Sequence, residues 1–318
     1  MEGIVVQNHS RLYLKDSSKA RDWIRYQRIL RSPERATQFV PPHLRVEFKL
    51  PLRLTHRGLS ESIMATTLRS FFLSDLHLFA RRSSAAAITP RIHHAAAQAH
   101  TMVLGGDIFD FKWSTRPSFE HSIADSIAWL DDLINAYPEC AFYYLLGNHD
   151  AHPRFVVELD RLAFRQPRLV WQPYILRLGT CVFLHGDIVD GEPTDIALAT
   201  RRKLSEDKPQ PHPSRHLLYD AVVQARIHRV AGAIAIRRTT VLRKLAMYLT
   251  DQGHDASHGV TDVYFGHTHR DVDGVEFGGL NFHNGGASIK GLSFRIIETK
   301  LPSVPVAEPS KANELSKQ

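Results

Sequence analysis

Short apolar runs separated by helix-like segments make up the chain from about Leu68 onward, and this alternation is typical of an α/β domain. One helix is especially well defined, because its apolar residues recur three or four positions apart and so share one helical face. These residues are Phe119, Ile123, Ile127, Leu130 and Ile134. Ser118, directly before them, is suited to cap the N-terminus of this helix.

The pattern divides the chain into a central domain and three further segments. We predict the central domain over residues 67–300, after an N-terminal extension, residues 1–66, whose strand-like part contains Pro51 and so suits a sheet edge or a surface arm. Residues 188–259 interrupt the alternation with a proline-containing stretch and a basic helix, which predicts a helical cap insertion. The polar residues 301–318 predict a disordered tail.

Metal-capable side chains stand where five of the apolar runs end. Because buried strands of an α/β sheet end together at one edge, we expect these side chains to meet in one pocket. They are Asp75 with His77, Asp107, Asn148 with His149, His185, and His267 with His269. The spacing in Asp75-x-His77 and in His267-x-His269 predicts that both side chains of each pair point to the same side of extended backbone.

The chemistry of these side chains favours a centre with two metal ions. Their donor atoms are nitrogen and oxygen without cysteine sulfur, which suits zinc, manganese or iron and argues against a structural thiolate site. The candidates exceed what one tetrahedral ion can bind, but they suit two ions that share a bridging carboxylate. Such a pair can activate a water molecule and stabilise charge on a phosphoryl group. One His-x-His motif would be weak support, whereas five junctions in order are not readily explained by chance.

These residues resemble the motifs of the calcineurin-like metallophosphoesterase superfamily: Asp-x-His, Gly-Asp, Gly-Asn-His-Asp or Gly-Asn-His-Glu, a lone His, and Gly-His-x-His. All five motifs occur here in that order, between residues 68 and 298. The resemblance implies an α/β fold with four layers, α/β/β/α, in which helices flank two mixed sheets. It also implies a hydrolase of a phosphate ester or phosphoanhydride that uses a metal-activated water. Two divalent ions would be bound, for which we expect Mn²⁺, with Zn²⁺ or iron as alternatives.

The resemblance also implies a role for each candidate residue. Asp107 would bridge the two ions, and His149 would be the catalytic residue, contacting the phosphate and donating a proton to the leaving oxygen. The remaining ligands would be Asp75, His77 and His269 for the first ion, and Asn148, His185 and His267 for the second.

Within the superfamily, residues 72–78, residues 106–110 with Trp113, and residues 266–270 look like the UDP-2,3-diacylglucosamine pyrophosphohydrolases of lipid A synthesis. Those enzymes also carry a helical insertion, but they typically have Arg where this chain has His149. A lipid A enzyme is therefore an alternative to a phosphatase or phosphodiesterase. A nuclease is a further alternative, because the Gly-Asp-Ile-Phe-Asp motif also resembles DNA-repair members. The intact motifs argue against a non-catalytic scaffold.

Charge and composition bear on the partners and the location. Lys and Arg number 40 against 33 Asp and Glu, a net charge of +7 that suits an anionic partner. We expect a small phosphorylated substrate in preference to nucleic acid, and a lipid-linked substrate is an alternative. The basic helix 222–249 has two interpretations: a helix packed on the domain with solvated arginines, or a helix that contacts a membrane surface. The two cysteines do not make a disulfide framework, and no secretory signal or membrane span is visible, so we expect a cytoplasmic protein. A position peripheral to the membrane is an alternative that depends on the basic helix. The oligomeric state is not predicted.

Overall fold

Two five-stranded sheets form the centre of the part of the chain that the structure describes. The computed structural model describes residues 69–206 and 238–301, and all structural statements below concern these residues. The strands are, in chain order, β1 (Arg69–Leu73), β2 (Ala99–Leu104), β3 (Ala141–Leu145), β4 (Leu169–Gln172), β5 (Ile175–Leu178), β6 (Cys181–Leu184), β7 (Asp262–Phe265), β8 (Asp271–Phe277), β9 (Leu280–Gly285) and β10 (Ile297–Glu298).

Both sheets are mixed, as the resemblance to the superfamily implies. The first has the strand order β10-β1-β2-β3-β4, in which β1 to β4 are parallel and β10 is antiparallel to β1. The second has the order β5-β6-β7-β9-β8, in which β6, β7 and β9 are parallel and the two edge strands are antiparallel. The carboxyl ends of the parallel strands therefore collect at one edge of each sheet.

Successive residues of the strands face different layers, because side chains alternate across a strand. In β1, Phe71 and Leu73 pack with the helices outside the first sheet, whereas Phe72 packs between the sheets. Phe72, Phe183 and Tyr264 meet there with ring centroids 5.0–5.9 Å apart. Burying a side chain of this size typically contributes about 1.5–3 kcal/mol. An aromatic layer thus joins the two sheets.

Helices cover the outer face of each sheet, which completes the predicted four-layer α/β/β/α architecture. Three helices pack against the first sheet and one packs against the second, while a shorter polar helix lies beside the loop after β6. The helices are α1 (Ala85–Gln98), α2 (Phe119–Ala136), α3 (Pro153–Arg165), α4 (Asp195–Glu206) and α5 (Arg238–Asp251). The prediction for α2 is confirmed in detail, since Ser118 accepts a hydrogen bond from the backbone N–H of His121.

Helix α4 lies where the sequence predicts only a polar, proline-containing stretch. Its apolar content is low, with Leu198 buried but Ile196 and Leu204 exposed, so no hydrophobic stripe marks it as a helix. Arg202 attaches it instead: the guanidinium is buried and donates to both carboxylate oxygens of Asp187, at 2.8 and 2.9 Å. A buried ion pair of this kind is not encoded in hydrophobic periodicity.

Other predicted segments lie partly or wholly outside the described residues. This holds for the N-terminal extension 1–66, for nearly all of the tail 301–318 and for the middle of the insertion 188–259. Of the predicted basic helix 222–249, residues 238–249 are helical and belong to α5. Where the structure describes the chain, none of its helices combines the length and the apolar character required to cross a membrane.

Candidate metal centre

The predicted site residues follow the carboxyl ends of β1, β2, β3, β6 and β7, and the fold brings them together. Five of them have left-handed backbone, with φ between +48° and +64°: Asp75, His77, Asp107, His267 and His269. The predicted extended backbone of the Asp-x-His and His-x-His pairs is therefore wrong. For the first pair the reason is a contact with a distant segment: Asp75 N and His77 N donate to the carbonyls of Gly106 and Asp107 in the loop after β2, so the chain turns across that loop. Such conformations cost about 1–3 kcal/mol each and concentrate at functional sites.

Asp75, His77 and His269 form what we call the first cluster, whose potential ligand atoms all lie within 4.8 Å of one another. His77 Nε2 is 3.1 Å from His269 Nε2, and His269 Nε2 is 3.4 Å from Asp75 Oδ1. Asp75 and His77 are fully buried, whereas the His269 side chain is 28% exposed. The three side chains can bind one ion together, and His269 marks the solvent side.

Asn148, His185 and His267 form the second cluster. Asn148 Oδ1 lies 3.2 Å from His185 Nε2 and 3.0 Å from His267 Nδ1, so the amide oxygen faces one nitrogen of each ring. The potential ligand atoms of His185, His267 and Asp107 all lie within 4.8 Å of one another. His267 and His269 therefore belong to different clusters, although only Thr268 separates them.

Asp107 stands between the clusters. Its Oδ2 atom is 4.0 Å from His77 Nε2 in the first cluster and 3.3 Å from His185 Nε2 in the second. A carboxylate in this position can bind two ions at once, and the nitrogen and oxygen donors around it suit divalent cations of the manganese, iron and zinc type. The residues present thus fit a dinuclear divalent metal centre. The identity of the metal stays a prediction, and so does the individual role of each ligand.

Two glycines allow the loops to approach the ligands this closely. A Cβ atom on Gly147 would collide with Asp107 Oδ1 and with the Asp107 backbone nitrogen. A Cβ atom on Gly266 would collide with Asp75 Oδ2 and Ser74. The glycines of the Gly-Asn-His-Asp and Gly-His-x-His motifs are therefore required by the space around the two carboxylates.

His149 lies beside both clusters without belonging to either. A nitrogen of His149 is within 4.8 Å of ligand atoms of His77 and Asp107, and its ring meets that of His77 edge-on with centroids 5.0 Å apart. The His149 backbone N–H donates to Asp107 Oδ1 at 2.8 Å, and the side chain is 13% exposed. This position allows His149 to reach a phosphate group bound at the ions.

Asp110 is an important residue of the site that was not among the residues predicted from the sequence. It is fully buried, with Oδ1 2.8 Å from His149 Nδ1 and Oδ2 3.1 Å from His77 Nδ1. Arg82 and the Trp113 backbone N–H donate to the same carboxylate.

Burial alone would raise the pKa of Asp110, but the histidines outweigh it and lower this pKa well below its usual range. One ionised carboxylate thus orients a metal ligand and the predicted catalytic residue. The sequence feature that could have identified Asp110 is its position three residues after Asp107 in the Gly-Asp-Ile-Phe-Asp motif.

Asp150 and Asn284 hold the loops of the site in place. Asp150, fully buried, accepts hydrogen bonds from Tyr144 Oη at 2.6 Å and from the backbone N–H groups of Gly147 and Ile108. Asn284, at the end of β9, donates to the Gly266 carbonyl at 2.9 Å. Both residues tie separate motifs to one another, so they hold in place the loops that carry the candidate ligands.

The two clusters differ in how they bind protons when no ion is present. Burial lowers the pKa of His77 to about 4, although Asp110 partly opposes this effect. Burial would also lower the pKa of His185, but the Asp107 carboxylate outweighs burial and raises this pKa to about 10. At neutral pH, His77 is therefore uncharged, whereas His185 is an imidazolium.

The chain is similar in sequence to one known protein family. The family model described as calcineurin-like phosphoesterase matches residues 68–271, which include all the predicted site residues. Among solved structures, a dimetal phosphatase from Danio rerio aligns with 13% sequence identity and a TM-score of 0.39, over 70% of this chain and 88% of that one. No curated protein sequence matches the chain significantly.

Proposed function

This chain belongs to the calcineurin-like phosphoesterase family and is a metal-dependent phosphoesterase, and from this premise we propose that it hydrolyses small phosphorylated substrates with two divalent ions, preferably Mn²⁺. The observation that carries the proposal is the position of Asp107, whose Oδ2 atom is within 4.0 Å of ligand nitrogens in both clusters. A site with that carboxylate at its centre is suited to a phosphate ester or phosphoanhydride.

When bound, the two ions supply an activated water and positive charge for the phosphoryl oxygens. The protein supplies the alignment: Asp75 accepts the His267 backbone N–H at 3.0 Å, and Asp107 accepts that of His149 at 2.8 Å. Each carboxylate thereby fixes the loop that carries a neighbouring site residue. Substrate phosphate held between these loops would have its leaving group beside His149.

His149 is suited to deliver a proton to that leaving group. Its Nδ1 atom is bonded to Asp110 at 2.8 Å, which leaves Nε2 to hold and release a proton toward the substrate. Burial tends to lower the pKa of His149, but Asp110 and Asp107 outweigh it and raise this pKa, so the ring carries a proton more readily than an exposed histidine. We infer general-acid assistance from this arrangement.

A second candidate is an amphipathic anhydride of the UDP-2,3-diacylglucosamine type. Two apolar side chains on α4, Ile196 and Leu204, are 55% and 62% exposed. The same helix is joined through Arg202 to the loop after β6, which follows His185. An acyl chain lying on α4 would thus be near the second cluster. This candidate also accommodates the predicted membrane contact and peripheral cytoplasmic location, whereas a nuclease has no comparable support.

A substrate panel tests both candidates. Protein reconstituted with Mn²⁺ would be given a chromogenic monoester, a diester, a nucleotide sugar, UDP-2,3-diacylglucosamine and DNA, with chelator-treated protein as the control. We expect metal-dependent release of phosphate or of a nucleoside monophosphate. Exclusive cleavage of the acylated anhydride would favour the second candidate, and cleavage of DNA alone would overturn both. Protein that holds two ions but cleaves none of the five compounds would contradict the proposed substrate class.

A further inference from the structure

We propose that Asp190 is a positioning residue of the second cluster, which holds His267 so that its Nδ1 atom is presented to an ion. Asp190 ends a short 3₁₀ helix, Asp187–Asp190, that follows His185. Its Oδ2 atom lies 2.9 Å from His267 Nε2. The inference concerns the same centre as the proposed function, but it makes a claim about metal binding that is independent of any substrate.

The two nitrogens of His267 face different partners. Nε2 faces the Asp190 carboxylate at 2.9 Å, whereas Nδ1 faces Asn148 Oδ1 at 3.0 Å. An ionised carboxylate can only accept hydrogen bonds, so Asp190 requires the proton to be on Nε2. In neutral His267 the Nδ1 lone pair then faces the amide oxygen of Asn148, and a cation is the group that both atoms can bind together. Asp190 therefore selects the tautomer that a metal ligand needs.

The same arrangement recurs at the other buried histidines of the centre. His77 has Asp110 at 3.1 Å behind its Nδ1, and His185 has the Gly105 carbonyl at 3.0 Å behind its Nδ1. In each case the nitrogen on the other side of the ring points into the cluster. Metal-ligating histidines generally have such an outer acceptor, which fixes the ring and increases its basicity. Asp190 supplies the equivalent acceptor for His267.

The 3₁₀ helix that carries Asp190 is itself held firmly. Arg202 on α4 binds both carboxylate oxygens of Asp187 at the start of this helix. Lys244 on α5 donates to the carbonyls of Val189 and Gly191, at 2.6 and 3.1 Å, and so binds the chain on both sides of Asp190. The Asp190 side chain is 48% exposed, yet its backbone is fixed from two helices. These contacts limit the movement of the backbone that presents the Asp190 carboxylate to His267.

Metal titration of three variants tests the proposal. Asp190→Ala removes the acceptor, Asp190→Asn keeps an oxygen that can accept from Nε2–H, and Glu192→Gln is a matched control. Glu192 is exposed on the same loop, and its substitution removes the same charge. Calorimetric titration of metal-free protein with Mn²⁺ would give the affinity of each ion, and visible absorption with Co²⁺ would report the ligand environment. His77→Ala and His267→Ala would identify which binding phase belongs to each cluster.

We expect Asp190→Ala to weaken the second ion by about 10- to 100-fold while leaving the first ion unchanged. Asp190→Asn should lose less than Asp190→Ala, and Glu192→Gln should bind both ions like the parent protein. The Co²⁺ spectrum of Asp190→Ala should change only in the phase that His267→Ala removes. If Asp190→Ala fails to fold by circular dichroism, a weakened second phase in Asp190→Asn would carry the same conclusion.

Wild-type affinity for both ions in Asp190→Ala, or in a folded Asp190→Asn when the alanine variant does not fold, would overturn the proposal. Equal weakening of both ions would also overturn it, because that result indicates a general structural effect. Neither measurement uses a substrate, so a protein that cleaves no tested phosphate could still support the role of Asp190. Conversely, normal hydrolysis combined with unaltered metal binding in Asp190→Ala would reject this role alone.

Discussion

The two clusters of the metal centre are supported in different ways. The first is supported by Asp110, a fully buried carboxylate in the loop after β2 that is hydrogen-bonded to His77, His149 and Arg82. The second is supported by Asp190, which is half-exposed and lies on a loop attached to α4 and α5. These helices flank residues 207–237, the middle of the predicted insertion. The first cluster thus depends on a buried carboxylate in the loop after β2, whereas the second depends on a loop that two helices hold in place.

Because of this difference, we expect the first ion to bind more tightly than the second. We also expect the affinity for the second ion to depend on α4 and α5, the helices on either side of residues 207–237. Ligands that are locked by buried partners lose little freedom when an ion binds, whereas partly exposed partners are screened by water.

Asp107→Asn should have the largest effect, because Asp107 is within reach of both clusters. We expect hydrolysis to fall by about three orders of magnitude or more, corresponding to several kcal/mol of lost charge stabilisation. Both binding phases should weaken in a calorimetric titration. Asp160→Asn, an exposed change on α3, controls for loss of charge and should behave like the parent protein. Near-normal activity with two bound ions would remove Asp107 from its bridging role.

His149→Ala should impair catalysis without affecting either cluster's affinity for metal. General-acid assistance typically contributes about 10²–10⁴ in rate, and an alkoxide leaving group needs it far more than a nitrophenolate. We therefore expect a loss of at least about 10²-fold with alkyl phosphates and a much smaller loss with aryl phosphates. Kinetics with the two substrate types, together with metal analysis, check this. Equal losses on both substrates would indicate that His149 positions the phosphate instead of donating a proton.

The fold class and the position of the metal centre can be predicted well from the sequence, and the reason is physical. Strand ends, polar residues after apolar runs and the α2 helix follow from local periodicity, so the fold class and the pocket at the strand ends could be predicted before the structure. Ser118 is an example: its capping role depends only on residues near it in sequence. The superfamily motifs then added the division into two clusters, which periodicity alone does not specify.

What the sequence could not predict depends on contacts between distant segments. Asp190 meets His267 across 77 positions of chain (267 minus 190), and no local pattern distinguishes it from a solvated loop residue. The left-handed backbone of Asp75 and His77 depends on hydrogen bonds to the loop after β2, and so could not be read from their spacing. Helix α4 is held by Arg202 and Asp187, an ion pair that apolar periodicity does not reveal.

Lys244→Met should have a small effect that is confined to the second cluster. Lys244 binds the carbonyls on both sides of Asp190, so its loss should loosen that carboxylate without removing it. A hydrogen bond from a charged group typically contributes about 1.5–3 kcal/mol, and only part of this would reach the ion. We expect the second ion to bind roughly three- to ten-fold more weakly. Arg243→Met, an exposed change on the same helix, is the matched control, and equal weakening of the first ion would contradict the comparison.

The smallest expected difference between the two clusters is in the number of protons that are released when each ion binds. Without ions, the pKa of His185 is raised to about 10 and that of His77 is lowered to about 4, so at pH 7 the former ring is charged and the latter neutral. A metal binds only the uncharged imidazole, so an ion that binds His185 must displace a proton from this ring, whereas an ion that binds His77 does not need to. Titrations in two buffers with different enthalpies of ionisation give the number of protons released in each phase. We expect about one proton from His185 in the second phase, declining as the pH rises through about 10. Release confined to the first phase would reverse the assignment of charge between the clusters.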